Sequence, residues 1–112
     1  WLAAQAVPPE QQAAELVNLL ALVAEEGKPQ SRRAGFSLMA QLFVGGTWRR
    51  QALAPGLAKF FNELYADLAL DVPALPKIIQ EELAPALEGL VSAGLLEADR
   101  RDRLLSTATA RS

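Results

Sequence analysis

Residues 66–76 read ADLALDVPALP, an apolar run holding two aspartates four positions apart, Asp67 and Asp71, before it breaks at Pro73. Proline has no N–H to donate, and it pushes Val72 out of helical geometry. The run therefore reads as a tight corner between two helices. Upstream of it, Leu57, Phe60, Phe61, Leu64 and Leu68 recur at helical spacing, the clearest stripe in the chain. Downstream, Leu75, Ile78, Ile79, Leu83, Ala86, Leu87 and Leu90 form a second long stripe. The first helical region is expected over residues 48–68, kinked or split at Pro55–Gly56. The second is expected over 74–93, bent at Pro85, which lies off its stripe. Gly94 is placed to cap that helix in a left-handed conformation, with Leu95 and Leu96 folding back on its last turn.

Moving outward, Ala13, Leu16, Val17, Leu20 and Ala24 define a helix from Glu10 that stops at Gly27. Leu19, Leu22 and Val23 widen its apolar face, so cover on more than one side is expected. Pro29 is expected to prevent that helix from resuming. Ser31 is the expected cap of a second helix, with Phe36, Met39, Ala40 and Phe43 inward and Gly45–Gly46 at its end. A short charged helix over 97–105 follows the Gly94 cap, and residues 106–112 read as a frayed tail. The fold class expected is all-α: antiparallel helical hairpins in an irregular HEAT-like array of about five helices. Residues 1–9 form an N-terminal extension and residues 10–105 the domain.

The 112 residues suit one domain with a modest core. A formal charge of −2 argues against a dedicated nucleic-acid binder. There is no cysteine for a disulfide or thiolate site and no histidine, the commonest metal ligand and general base. The longest apolar stretch, Leu16 to Ala24, falls short of the roughly 20 residues a membrane helix needs. The chain begins at Trp1, which points to a fragment, a processed product or a segment of something longer.

A catalytic reading of Asp67 and Asp71 finds no support: no suitably placed lysine, nucleophile elbow, phosphate loop or metal-ligand cluster accompanies them. No enzyme activity, cofactor or metal is expected. Asp71 can serve the fold by accepting bonds from the free amides of the next helix, worth about 1 kcal/mol. Asp67 has no such use. It stands near a helix C-terminus, where negative charge is mildly unfavourable, and it repels Asp71. A corner that carries such a cost suggests use by a partner.

Gly56, then FFNELYADLALDVP, then a long amphipathic helix ending in AGLL, resembles the second half of an MA-3 domain. These all-helical, HEAT-like domains occur in the scaffold of cap-dependent translation initiation and in a programmed-cell-death inhibitor of translation. The likeness covers residues 46–105, and its sharpest element is the LDVP corner with an acid four positions before it. It implies a non-catalytic module in the cytoplasm that grips a DEAD-box RNA helicase. The implied contacts are Asp67 and Asp71, with Glu63 one turn earlier. Pro55 and Pro85 depart from the family pattern by falling in stretches it keeps helical.

Arg32–Arg33, Arg49–Arg50 and Arg100–Arg101 with Arg103 read as solvated helix ends. The rival reading is phosphate contact with RNA, with Trp48 beside Arg49 and Arg50 stacking on a base, and it requires two clusters to converge on one face. Trp1, Leu2 and Pro8–Pro9 are apolar for a chain end. They motivate the alternative to the adaptor, a small subunit of a large assembly, organellar after loss of a leader peptide.

Overall fold

The structure, a computed structural model, describes residues 7–110. Among them the chain forms five helices and no strand. Helix α1 is Gln12–Ala24 and α2 is Pro29–Val44. Helix α3 runs continuously over 53–71 as Leu53–Lys59, a π turn Phe60–Leu64, and Tyr65–Asp71. Helix α4 runs over 75–92 as Leu75–Ile78, a π turn Ile79–Leu83, and Ala84–Ser92. Helix α5 is Ala98–Ala110, and single 3-10 turns at Pro9–Gln11 and Arg50–Ala52 lead into α1 and α3. None of these helices is long and apolar enough to cross a membrane.

The helices pair into hairpins, α1 with α2 and α3 with α4, and the hairpins stack: α1 packs on α3 and α2 on α4. The four helices thus form two layers. Within a layer the helices run parallel. The buried Gln12 side chain at the start of α1 accepts from Arg49 N–H at 2.7 Å, and Ala13 and Leu16 pass over Gly56 a turn later. A Cβ on Gly56 would stand 2.6 Å from Leu16 Cδ2 and 3.1 Å from the Ala13 carbonyl, so glycine sets how closely the layer closes. Helix α5 packs against α4 and the π turn of α3 and buries Leu104.

The core is aliphatic apart from Phe36 on α2 and two aromatic groups. Phe60, Phe61 and Tyr65 cluster around the π turn of α3, with Phe60 edge-on to Phe61 at 5.2 Å and Phe61 stacked on Tyr65 at 5.9 Å. Phe43 meets Trp48 edge-on at 5.8 Å where α2 gives way to α3.

Several elements differ from the sequence expectations, each for a physical reason. Helix α1 does not resume beyond Ala24, and Pro29 itself begins α2, because its fixed φ suits the first helical position and its missing N–H has no partner there. Lys28 occupies the cap position in extended conformation without a side-chain bond, so Ser31 lies inside the helix instead of capping it. Pro55 causes no kink. It is the third residue of the α-helical segment, where the N–H groups lack partners four residues back.

The irregularity of α3 falls instead at the π turn, where Tyr65 N–H bonds to Phe60 O. At the wider turn Tyr65 takes the fully buried place and Leu64 is only partly covered, while Leu68 beyond it stays buried. Helix α4 takes up Pro85 in the same manner. Ala84 N–H reaches back to Ile79 O, and the widened turn relieves the clash a proline ring makes with the carbonyl four residues earlier.

The C-terminal residues are not a frayed tail as far as Ala110. Helix α5 continues past Leu105, and Thr107 Oγ1 donates to Arg103 O at 3.0 Å, so that hydroxyl is satisfied within the helix. Trp1 and Leu2 lie outside the described residues.

Candidate functional site

Asp71 does not head α4. It is the last residue of α3, and the position before α4 is Ala74, which makes no side-chain capping bond. The corner needs no acid. Val72, at φ −124° and ψ 85°, has left helical geometry before Pro73, and Leu75 N–H turns back to Val72 O at 3.0 Å. Pro76 has no N–H, and Ile78 N–H bonds to Ala74 O at 2.9 Å. Two prolines and a turn thus satisfy the start of α4, and the expected capping role of Asp71 falls away.

Both acids therefore stand at the negative end of the α3 dipole, where neither gains from the backbone. Glu63, Asp67 and Asp71 are all exposed, and none makes an ion pair within the described residues. Asp67 and Asp71 are one turn apart, so they share a face of the last segment of α3. Glu63 lies in the π turn, one turn further back.

Leu70 stands on the same ridge, three residues after Asp67 and next to Asp71. It is 81% exposed, the most exposed large apolar side chain described. Sequence reasoning passed over it, although the signal was present. Leu70 lies two positions beyond Leu68, the last member of the buried stripe, and so points away from it.

Gly94, with φ +78°, closes α4 in a Schellman motif: its N–H bonds to Val91 O at 3.0 Å and Leu95 N–H to Leu90 O at 3.0 Å.

One arginine of each cluster is bonded into the fold, Arg32, Arg50 and Arg101, while Arg33 and Arg100 stay exposed without an ion pair among the described residues. Arg32 is clasped by Glu82, with Nε to Oε2 at 2.5 Å and Nη2 to Oε1 at 2.9 Å, while Nη1 donates to Glu26 O at 2.8 Å. The hydrogen bond to Glu82 raises the Arg32 pKa above its ordinary value; burial opposes this, and the charges of Glu82 and Glu26 add to the rise. Arg101 is held by Asp102 and Glu88, and its pKa is likewise raised, mainly through the hydrogen bond to Asp102.

Arg50 donates to Gly94 O at 3.3 Å, tying the entry of α3 to the exit of α4. Trp48 cannot stack on a base: it is 1% exposed and its ring is packed against Phe43. The hairpin end captures it because its N–H closes the chain back onto Leu42 O at 2.9 Å. Among the described residues no three His, Cys, Asp or Glu side chains converge as a metal set.

The surface that gathers most chemistry is thus the outer rim of α3: three free carboxylates around one exposed leucine. No family model matches the chain, and neither a curated protein nor a solved structure matches it.

Proposed function

We propose that this chain is a non-catalytic protein-interaction module of the MA-3 kind, which grips a DEAD-box RNA helicase through the rim of α3. Asp67 and Asp71, with Glu63 behind them, meet basic side chains of the partner, and Leu70 supplies the apolar contact between them. The observation that carries this reading is the position of the two aspartates. Both are exposed at a helix end that disfavours them, and the fold makes no use of either. A charged hydrogen bond that is desolvated on binding costs about 2 kcal/mol or more on truncation.

The rival reading, a subunit buried in a large assembly, calls for an apolar outer face on α1. The exposed positions of α1 are Ala14, Asn18 and Leu22, and only Leu22 is a large apolar side chain, so α1 lends it little support.

Asp67→Ala combined with Asp71→Ala tests the adaptor reading. The double variant keeps its helical circular dichroism and loses the helicase in a pull-down. Retention of the helicase at the wild-type level rejects the reading.

A further inference from the structure

Five consecutive charged residues, Asp99 to Arg103, fill the first half of α5. Among the side chains described over 98–107, Leu104 alone is buried, and Leu105 is half-buried. Helix α4, by contrast, buries Leu75, Ile78, Ile79, Leu83, Leu87 and Leu90. The polar attachments described for α5 lie at the surface. Arg101 reaches Glu88 on α4, a carboxylate 59% exposed, and Gln80 in the π turn of α4 donates to Leu105 O at 3.1 Å. An exposed ion pair of that kind is screened by water and salt and holds weakly.

What α5 covers is different in kind. It packs on α4 and on both π turns, Phe60–Leu64 and Ile79–Leu83, which hold the fully buried Phe60, Phe61, Ile79 and Leu83. The other four helices close on one another without it: α1 packs on α3, α2 on α4, and the Arg32–Glu82 clasp joins the two hairpins. The link between α4 and α5 also belongs to α4. Gly94 caps that helix, Leu95 N–H bonds back to Leu90 O, and Leu96 is buried, so only Glu97 separates the ordered end of α4 from α5. An element on a short link, with few buried apolar side chains, opens at a lower free energy than the core it rests on.

We infer that α5 is a hinged cover: it swings off both π turns as one unit, about Glu97, while α1 to α4 remain folded. Opening bares apolar surface at the π turns that the closed form hides. This movement is independent of whatever the rim of α3 binds.

Native-state hydrogen exchange on the full chain, followed in urea below the unfolding transition, tests the cover. Amides over 102–107 are expected to exchange as one group, with protection about tenfold or more below that of α1 and α4. Their exchange should also depend less on urea, because less surface is exposed in opening than in unfolding. Two results overturn the inference: protection that falls off smoothly towards Ala110, which is fraying, or α5 amides that share the protection and urea dependence of α4. A chain ended after Leu96 gives a second readout. It is expected to keep one cooperative melt and to bind an apolar dye more strongly than the full chain does. Loss of the cooperative melt, or dye binding no stronger than that of the full chain, contradicts the cover.

Discussion

Arg32 and Glu82, 50 residues apart in sequence, join α2 to α4 through two hydrogen bonds of 2.5 and 2.9 Å. The Glu82 side chain is 6% exposed and that of Arg32 13%, so both charges are largely withdrawn from water. Arg32→Ala strands a carboxylate between the hairpins and should cost about 3 kcal/mol. Replacing both residues by leucine should cost far less, because no buried charge is left alone. Urea unfolding of the single and double variants checks this; equal losses would show that the pair itself is not what matters.

The same clasp has a definite pH behaviour. The Arg32 pKa is raised, so its contribution is fully present below the ordinary arginine value and is lost only as pH climbs past the raised one. Between pH 6 and 10 the guanidinium contribution should stay constant. The stability difference between the chain and Arg32→Leu, measured at the two ends of that range, should therefore show no loss attributable to arginine deprotonation.

Two glycines of one hairpin should respond in opposite directions to alanine. Gly89 is inside α4 with open space around it, so Gly89→Ala should raise stability by about 0.5 to 1 kcal/mol. Gly94, at φ +78°, adopts a conformation that alanine disfavours by roughly 1 kcal/mol, so Gly94→Ala should lower it. Thermal melts of both variants suffice, and a shift of the same sign for both contradicts the capping geometry.

Gly56 gives a larger effect. Gly56→Val drives two methyl groups into Leu16 and the Ala13 carbonyl, and overpacking of that kind costs about 2 kcal/mol. A midpoint unchanged in urea would mean that α1 and α3 do not meet there.

How much of this was legible beforehand follows from the kind of signal each element carries. The stripes of α1, α2 and α4 and the stop at Gly94 are local patterns, and they survive into the fold. The expected stripe of α3 holds at Leu57, Phe60, Phe61 and Leu68 and fails only at Leu64. The π turn adds a residue to one helical turn, and no propensity marks that, so Leu64 and Tyr65 exchange roles. Asp71 misled as a cap because an acid near a proline resembles a helix start, whereas the turn through Val72–Leu75 delays the start by three residues. No local pattern marks Glu82 as buried; its long-range partner Arg32 is what draws it in. The acidic rim was visible as a spacing, and Leu70 completes it.

Leu70 separates binding from folding. Because it is 81% exposed, Leu70→Ser should change stability by less than about 0.5 kcal/mol. It should still weaken the proposed helicase complex, since Leu70 is exposed on the same ridge as Asp67 and Asp71. Parallel melts and binding curves check both halves. A destabilised fold would mean that Leu70 is packed in solution.

The most direct test is calorimetric titration of a DEAD-box RNA helicase into the chain and into the Asp67→Ala, Asp71→Ala double variant, at low and high salt. The chain is expected to give tight, salt-sensitive heat and the variant none, with the melting temperature of the variant equal or slightly higher. Equal affinity for the two proteins would contradict the adaptor reading.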